Sequence, residues 1–497
     1  MSVDLERLAN GVLWPGFLGT ELPAWLEREL RAGLAGVVYF AQNMGPDVAS
    51  LSAAIHAANP LALIGVDEEG GSVTRLEAAT GSTVPGAAQL GELDDLDATR
   101  RTGAELARRV RAAGADVVIG PVADVNTDPR NPVIGVRAFG ADAELVARHT
   151  AAEVEGIQGA GVAACVKHFP GHGDTHVDSH HDLPRIALAP EEIEDVHLAP
   201  FRAAIAAGAL SVMTAHIVVP AWGEEPATLN ARVLGMLRDD GFDGVIVTDA
   251  LDMAAIRESV GIGGGAVRAL AAGADLLCIG NPTNPGAAAA ADQDERDVAA
   301  AKDAIVRALR EGTLDVARVQ EAAARVARLA GILAAEREVP EPQGEAFDGA
   351  ALVRRALRVH GVLGEPARAL VVLDARRRAT LAVDSAAGYV VDALADGGWS
   401  RRIDTARASS VETTQAIAEA RDAAERAGAR LVVLVDRIDT DETQRALIAD
   451  VADTVPSAVV VNTGLGAGSA TLPVIDVLAS SRVGAEVVRE VLLSSGV

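Results

Sequence analysis

The sequence predicts an α/β protein: a (β/α)8 TIM-type barrel followed by a smaller α/β sandwich domain. Eight short apolar runs alternate with amphipathic helical patterns in the N-terminal part of the chain. A segment rich in Pro, Gly and Glu comes next, and a second, shorter α/β pattern follows it. The 497 residues also exceed what one ordinary hydrophobic core holds, so more than one domain is expected.

The eight apolar runs are the predicted barrel strands. They are residues 12–17, 36–40, 62–66, 116–119, 162–166, 210–214, 245–248 and 276–279. Helical patterns between them cover residues 93–113, 143–159, 190–207 and 263–272. Apolar strands that alternate with helices are typical of a parallel sheet buried on both faces. A doubly wound open sheet is the competing topology, and the number of strands favours the barrel.

The C-terminal part is predicted to be a separate domain. A long amphipathic helix over 298–335, broken near Gly312, ends the barrel domain, which we assign to 1–335. Residues 336–350 have the composition of a linker, and 351–497 form the smaller domain. Its predicted strands are 369–373, 431–435 and 458–461, with helices at 411–427 and 443–453. Three roles stay open for it: packing against the barrel, supporting a homodimer, or covering part of a pocket.

Composition excludes several classes of partner. The net charge of −26 would repel a polyanion, and no Lys/Arg run offsets it, so nucleic acid is not expected. The N-terminal residues lack a signal-peptide pattern, and no uncharged apolar run reaches the roughly 18 residues of a membrane span. Cys165 and Cys278 lie in apolar runs and are expected as buried strand residues, not a disulfide. We therefore expect a cytoplasmic protein without membrane contact.

Polar clusters follow the predicted strands. In a barrel of this kind the chemistry lies just beyond the carboxyl ends of the strands. DEEGG stands at the third strand, PVADVNTDPRNP after the fourth, KHFPGHGDTHVDSHHD after the fifth, and AH after the sixth. Asp249 follows the seventh strand directly. Asp124 and His216 also stand at strand ends, but we leave them outside the predicted catalytic set.

The segment 167–184, KHFPGHGDTHVDSHHDLP, holds five of the ten histidines. Four of these recur every fourth residue: His168, His172, His176 and His180. On a helix they would form a metal-binding face, but Pro170, Gly171 and Gly173 argue against a helix there. We therefore expect no metal and no cofactor. A loop whose histidines only satisfy one another is a second alternative.

A catalytic function of the same segment rests on Asp178 and His180. In an extended segment, residues two apart point the same way, so the carboxylate can accept a hydrogen bond from the imidazole. Asp178 then selects the tautomer of His180 and stabilises its protonated form. Such a pair can give a proton to a leaving oxygen and later take one from water.

The segment resembles the signature of the β-N-acetylglucosaminidases of glycoside hydrolase family 3, the NagZ type. In that group the Asp–His pair of the DSH triplet replaces the usual carboxylic acid/base. GVDEEGGSVTRL, DVNTDPRNPVIGVRAFG, MTAHIVVPAW, PATLN and GVIVTDALDM are similar to further motifs of the family. The likeness covers most of 1–335 and, more loosely, the C-terminal domain. Ser72 stands where the family carries Arg, which puts any subsite role of that position in doubt.

The resemblance assigns roles to particular residues. It implies a catalytic set of Asp249 as nucleophile with Asp178 and His180 as acid/base. By position alone, Asp249 is equally a candidate N-cap of the next helix, with Asp243 and Asp252 as neighbouring alternatives. The residues that the resemblance assigns to the sugar hydroxyls are Asp67, Arg137, Lys167 and His168. The competing interpretation of Asp67 with Arg137 is a structural ion pair.

The activity that the resemblance implies is retaining exo-hydrolysis of a terminal β-linked N-acetylhexosamine. The substrate would be a small carbohydrate, from peptidoglycan fragments or chitin-type sugars, and a covalent glycosyl-enzyme would form. Phosphorolysis stays open as an alternative, because a histidine acid/base would not repel an attacking phosphate. A non-catalytic sugar-binding barrel and a metal-dependent hydrolase are the alternatives from other classes. A β-glucosidase is less expected, because relatives with that specificity usually lack the DSH loop.

Overall fold

The computed structural model describes residues 3–175, 183–340, 346–377, 387–466 and 471–494. The chain forms two compact units that interleave along the sequence. The first unit is made of Met1–Glu69, Leu96–Asn131 and Ala141–Ala346. The second is made of Gly70–Asp95, Pro132–Gly140 and Phe347–Val497. The division into independent domains at 335 and 351 stays a prediction.

Each of the eight predicted barrel runs contains a strand. The strands are β1 Leu13–Pro15, β2 Gly36–Tyr39, β3 Leu63–Val66, β4 Val117–Val118, β5 Ala163–Phe169, β6 Ser211–Thr214, β7 Val245–Val247 and β8 Leu277–Gly280. Strands β2 to β7 form a curled parallel sheet in sequence order, and β1 pairs in parallel with β8. A parallel bridge between Val247 and Leu276 joins β7 to the start of β8. The predicted TIM-type barrel is confirmed.

Each predicted helical segment overlaps one or more α-helices of the described residues, and further helices lie outside the predicted segments. In chain order they are α1 Leu5–Asn10, α2 Ala24–Arg31, α3 Val48–Ala58, α4 Ala87–Leu93, α5 Leu96–Ala112, α6 Ala143–Gly159, α7 Pro190–Glu192, α8 Ala199–Ala206, α9 Ala231–Asp239, α10 Ala254–Arg257, α11 Gly261–Ala272, α12 Gln293–Glu311, α13 Val316–Arg337, α14 Gly349–Ala356, α15 Gly388–Ala395, α16 Ser410–Ala427, α17 Glu442–Thr454 and α18 Arg482–Leu493. The predicted break near Gly312 separates α12 from α13, where Gly312 has a φ of +71°. Only glycine adopts that left-handed conformation without strain, so it ends α12.

The interior of the first unit is filled by apolar side chains from the strands. Trp14 of β1 is fully buried, and its indole N–H donates to the carbonyl of Leu63 at 2.9 Å. A Cβ on Gly65 would stand 2.1 Å from the Trp14 ring, so β3 needs glycine beside this indole. Cys165 in β5 and Cys278 in β8 belong to the same apolar cluster. Both are free, buried thiols, as the sequence predicts.

The second unit contains a six-stranded sheet in the order β11-β10-β12-β13-β14-β9. Its strands are β9 Arg358–His360, β10 Leu370–Asp374, β11 Ser400–Arg402, β12 Arg430–Val435, β13 Val459–Asn462 and β14 Val474–Asp476. All neighbours are parallel except β14 and β9. The predicted strands correspond to β10, β12 and β13. The edge strands β9 and β11 are short and partly exposed, so they lack the continuous apolar run that predicts a buried strand.

Alternating side chains of this sheet pack on its two faces. Val371 and Leu373 of β10 join the core formed with α16 and α17. Leu370 and Val372 join the opposite core, formed with α15 and α18. This period of two gives the sandwich of helices on both faces that the sequence predicts. Within the described ranges, no helix is both long and apolar enough to span a membrane.

Segments from the N-terminal half complete the second unit. Ser72 accepts a hydrogen bond from the backbone N–H of Ser480 at 2.8 Å. The side-chain amide of Gln89 in α4 donates to the carbonyl of Val477 at 2.8 Å, and α14 packs against α4. Ser72, where the resemblance leads one to expect Arg, thus holds its own segment to the C-terminal part of the chain.

Candidate active site

Lys167 joins the ends of β5 and β3. It is the fifth residue of β5, and only 2% of its surface is exposed. Its Nζ lies 2.7 Å from Oδ1 of Asp67 and 2.6 Å from Oε1 of Glu69, both in the segment after β3. A buried ammonium group needs such partners, because its desolvation is otherwise uncompensated. The side chain of Asp67 stays one-fifth exposed, so its carboxylate is within reach of a bound polar molecule.

Asp124 organises the segment that follows β5. Its Oδ2 accepts a hydrogen bond from Nδ1 of His168 at 2.7 Å. Its Oδ1 accepts from the backbone N–H of His172 at 2.7 Å. Burial by itself would raise the pKa of Asp124, but the charge and hydrogen bond of His168 hold it below its ordinary value. Because Asp124 uses Nδ1 of His168, the Nε2 atom is the polar position that this ring presents to a ligand.

His172 anchors the start of the histidine-rich segment. It is buried, its carbonyl accepts from Nδ2 of Asn131 at 2.8 Å, and its Nδ1 lies 2.9 Å from the hydroxyl of Thr175. Burial lowers the pKa of His172 to about 4, so the imidazole is neutral at physiological pH. Asp178 and His180, the predicted acid/base pair, lie outside the described residues.

Two of the four histidines considered as a helical metal-binding face, His168 and His172, do not lie on a helix. His168 belongs to a strand and His172 lies beyond its end, so their spacing of four is not a helical spacing. Across the described ranges, no three His, Cys, Asp or Glu side chains are grouped as metal ligands. His176 and His180 fall outside those ranges.

Asp249 lies two residues beyond the end of β7, and the two residues that follow it are held from both sides. Its Oδ1 accepts the N–H of Ala250 at 2.8 Å, and Nε2–H of His216, beyond β6, donates to the Ala250 carbonyl at 2.9 Å. On the other side, the N–H of Leu251 donates to the carbonyl of Cys278 in β8 at 2.9 Å. The next helix, α10, begins at Ala254 with no side-chain cap, so the alternative of Asp249 as its N-cap is wrong. The carboxylate of Asp249 therefore does not cap α10.

The other two aspartates near Asp249 differ from it in position. Asp243 precedes β7 at the opposite end of the strand, is 77% exposed, and pairs with Arg328 at 3.2 Å. Asp252 is buried and accepts a hydrogen bond from Asn284. Of the three, Asp249 combines the strand-end position with partial exposure.

Charged side chains at the ends of β3, β5 and β7 contribute to the pKa of Cys165, which lies between them in β5. Burial raises the pKa of the Cys165 thiol, in the middle of β5, to about 12. A hydrogen bond with Ser211 and the charge of Lys167 lower this pKa, while the charges of Asp67 and Asp249 raise it. Because β3, β5 and β7 run parallel in one sheet, and Asp67, Lys167 and Asp249 lie at or just beyond their carboxyl ends, the three side chains belong to the same end of the barrel. The charge of Asp249 also acts on His172, at the start of the histidine-rich segment.

Arg137 lies in the second unit. It ends the 3₁₀ helix Gly135–Arg137, is 7% exposed, and donates from Nη1 to the carbonyl of Val133 at 3.0 Å. Its assignment to the sugar hydroxyls stays a prediction from the motif.

Three residues outside the predicted set take part in these arrangements: Glu69, Asp124 and His216. Each was visible in the sequence as a polar residue at a strand end. Their function depends on partners about 30 to 100 residues away, which the spacing along the chain does not reveal.

A separate cavity of about 300 Å³ lies at the amino ends of β6 and β7. Apolar residues such as Phe242 and Leu329 line it, together with Arg325 and Arg328. These arginines form ion pairs with Asp243. The cavity is at the opposite end of the strands from Asp249, and catalysis in barrels of this type takes place at the carboxyl ends.

The chain is similar in sequence to a known protein family and to named members of it. Residues 28–329 match the family described as glycosyl hydrolase family 3 N terminal domain. A curated relative from Xanthomonas oryzae pv. oryzae, named Beta-hexosaminidase, is 42% identical over 285 residues, which are 54% of this chain and 83% of the relative.

Two solved structures extend the comparison. A glycoside hydrolase family 3 β-N-acetylglucosaminidase from Paenibacillus sp. strain FPU-7 is 30% identical, with a TM-score of 0.82 over 99% of this chain and 97% of its own. NagZ from Neisseria gonorrhoeae, solved with N-trifluoroacetyl-D-glucosamine, is 31% identical, with a TM-score of 0.51 over 65% of this chain and 98% of its own. The chain therefore belongs to glycosyl hydrolase family 3 and is a glycoside hydrolase.

Proposed function

We propose that this chain is a retaining exo-β-N-acetylglucosaminidase with Asp249 as its nucleophile. The observation that carries the proposal is the position of Asp249. It lies beyond the carboxyl end of β7, at the same end of the parallel sheet as Asp67 and Lys167, and the two residues after it are fixed by His216 and Cys278. A retaining glycosidase needs a carboxylate that faces the anomeric carbon and an acid/base on the other side of the glycosidic bond.

The reaction proceeds in two displacements. Asp249 attacks the anomeric carbon while His180, oriented by Asp178, gives a proton to the departing oxygen. A covalent glycosyl-enzyme results. His180 then takes a proton from water, which attacks the anomeric carbon and displaces Asp249. The sugar leaves with its original β configuration. Asp124 supports this step at a distance, because it fixes His172 at the start of the segment that carries the pair.

The sugar hydroxyls meet the group formed by Lys167, Asp67 and Glu69. Nζ of Lys167 and the partly exposed carboxylate of Asp67 supply a donor and an acceptor 2.7 Å apart. Nε2 of His168 adds a third polar atom at the end of β5. Bonds from charged groups to hydroxyls are stronger than neutral ones in a site that excludes water, so this cluster binds and orients the pyranose ring. The assignment of Arg137 to the sugar hydroxyls rests on its motif alone.

The substrate class we propose is a terminal N-acetylglucosamine on peptidoglycan fragments or chitin-type sugars. The relatives support the acetamido sugar: one is named Beta-hexosaminidase, and another was solved with N-trifluoroacetyl-D-glucosamine. We also propose that the enzyme works in the cytoplasm. Its two cysteines are free and buried, which suits a reducing compartment.

The test compares aryl β-N-acetylglucosaminide with aryl β-glucoside as substrates. We expect turnover of the acetamido sugar by the wild type, and a loss of at least about 10³-fold in Asp249→Ala, because no other group forms the glycosyl-enzyme. His180→Ala should lose less on a substrate with a good leaving group, since protonation of the leaving oxygen then matters less. Asp243→Ala, at the opposite end of β7, is the matched control and should keep wild-type turnover.

Two results would count against the proposal. Full activity of Asp249→Ala would remove the proposed nucleophile. Faster turnover with added phosphate, with a sugar phosphate as product, would instead make the enzyme a phosphorylase. Measuring the products with and without phosphate separates hydrolysis from phosphorolysis.

A further inference from the structure

Asp252 is a buried carboxyl group that the reaction above does not use. It lies three residues after Asp249, in the loop that leaves β7, and 4% of it is exposed. Its backbone N–H donates to the carbonyl of Ile279 at 3.2 Å, so residue 252 is held against the end of β8. Since only two residues separate Asp252 from Asp249, fixing one restricts the other.

The two carboxyl oxygens of Asp252 have unlike surroundings. Oδ2 accepts a hydrogen bond of 2.6 Å from Nδ2 of Asn284, in the segment after β8. Oδ1 is buried and has no hydrogen-bond partner among the described residues. It packs against Gly280, where a Cβ would stand 1.7 Å from this oxygen and where φ is +108°. Glycine at position 280 therefore makes room for the carboxyl group.

The charged groups that act on Asp252 come from three elements. They are Arg257 on α10, Asp297 on α12 and Asp249 on its own loop. Nη2 of Arg257 donates to Asp297 at 3.0 Å and not to Asp252. Ionisation of Asp252 would thus leave a charged, buried oxygen without a donor and close to other carboxylates, which is costly.

The net effect on Asp252 favours its protonated form. Burial raises its pKa to about 7; the hydrogen bond from Asn284 and the charge of Arg257 lower it, and the charges of Asp297 and Asp249 raise it. A neutral carboxyl group keeps the bond to Asn284 and fits beside Gly280 without an uncompensated charge.

We propose that Asp252 is a positioning residue for Asp249: as a neutral carboxylic acid it fastens the loop after β7 to the segment after β8, and its loss of a proton lowers turnover. The inference rests on the proposed role of Asp249 as the nucleophile. Ionisation is a plain acid dissociation to water. It places a second negative charge three residues from the nucleophile and destabilises the contact with Gly280, so Asp249 is no longer held at the attacking distance.

The test uses variants that imitate each state of Asp252. Asp252→Asn has the size of the neutral acid and can still accept from Asn284, but it cannot ionise. Asp252→Ala removes the bond to Asn284 and the contact with Gly280. Asp294→Asn is the matched control, because Asp294 is also a buried carboxyl group and accepts from the N–H of Leu18 at 2.9 Å.

The measurement is kcat/KM for 2,4-dinitrophenyl N-acetyl-β-glucosaminide across the pH range in which Asp252 titrates. This leaving group departs without a proton, so the acid/base pair does not produce the alkaline limb. We expect the wild type and Asp294→Asn to lose activity above an apparent pKa of about 7. Asp252→Asn should stay within about threefold of wild type below that pKa and show no such limb, whereas Asp252→Ala should lose about tenfold in kcat at nearly constant KM.

Each outcome bears on the proposal. An unchanged alkaline limb in Asp252→Asn, or wild-type kcat in Asp252→Ala, would overturn it. Counting active sites by the burst of aryl release keeps loss of folded protein apart from slow chemistry in the variants. The mass of the wild-type enzyme quenched during turnover tests the proposed function separately. An acetamido-sugar adduct on Asp249 supports that function even if the Asp252 variants fail, and turnover without the adduct overturns both.

Discussion

Lys167 and His172 show two ways in which this barrel accommodates a buried ionisable side chain. Lys167 stays charged because carboxylates of Asp67 and Glu69 lie within 2.7 Å of its Nζ. His172 is buried and its Nε2 has no hydrogen-bond partner among the described residues; burial lowers its pKa to about 4, so it stays neutral. The charged cluster of Lys167, Asp67 and Glu69 lies at the candidate sugar site, whereas the neutral imidazole of His172 anchors a loop.

Glu153 is a third such residue, and it makes stability depend on pH. It lies in α6, and burial, followed by the charge of Glu69, raises its pKa from 4.5 to about 8. The unfolded chain releases this proton near pH 4.5 and the folded protein only near pH 8. The contribution of Glu153 to the free energy of unfolding is therefore fully present below about pH 4.5 and is lost as the pH rises to about 8.

Glu153→Gln should remove this dependence. We expect it to be more stable than wild type at pH 8, by an amount on the order of 3 kcal/mol, with little difference at pH 5. Urea unfolding at both pH values measures the change. Glu155→Gln, a half-exposed position on the same helix, is the control and should follow wild type. Parallel pH profiles for wild type and Glu153→Gln would contradict the assignment.

At the scale of elements, side chains near the amino ends of β7 and β8 hold these strands to the surrounding helices. Asp275, just before β8, is fully buried and accepts from the N–H of Ile246 at 3.0 Å. It also accepts from Arg238 of α9 at 2.5 Å and from Arg318 of α13 at 2.6 Å. One carboxylate thus ties two strands to two helices at the end opposite Asp249.

Asp275→Ala should be strongly destabilising, because it leaves two partly buried guanidinium groups and a backbone N–H without their acceptor. We expect a loss of about 3 kcal/mol or more in the free energy of unfolding. Asp243→Ala removes an exposed carboxylate that pairs with Arg328 nearby, and should change stability by no more than about 0.5 kcal/mol. Chemical denaturation of wild type, Asp275→Ala and Asp243→Ala measures these free energies of unfolding. Equal losses in the two variants would show that burial of Asp275 does not account for the expected difference.

The element predictions from the sequence hold where an apolar pattern is long. The helix predicted at 143–159 has those bounds, because its buried face repeats over many turns. The helix predicted at 190–207 is interrupted by the π-helical segment Ile193–His197, in which buried His197 packs against Gly171. This contact joins two residues far apart along the chain, so no local pattern in the sequence indicates it.

At the scale of the whole molecule, the second unit depends on segments from the N-terminal half. Ser82 accepts from the N–H of Val483 at 3.1 Å, and a Cβ on Gly81 would stand 2.4 Å from the ring of Tyr389. The segments 70–95 and 132–140 have their packing partners in the C-terminal residues.

Truncation after residue 346 should therefore not yield a stable barrel domain. Removal of 347–497 takes away the partners of Ser72, Ser82 and Gln89, and leaves the apolar face of α4 uncovered. We expect aggregation, or a fall in melting temperature of more than about 5 °C. Thermal unfolding and gel filtration of the truncated and full chains check this. A monodisperse fragment with the melting temperature of the full chain would show that the barrel does not depend on residues 347–497.

Apolar periodicity was enough to predict the eight strands, the break at Gly312 and the place of Asp249, because burial on both faces of a strand acts locally along the chain. The partners of Lys167 and His168, and the packing of Ser72 with Ser480, were decided by the fold. These contacts join residues 44 to 408 positions apart. Which strand ends meet depends on how the sheet closes and how segments are shared between units, and no short-range pattern carries that information.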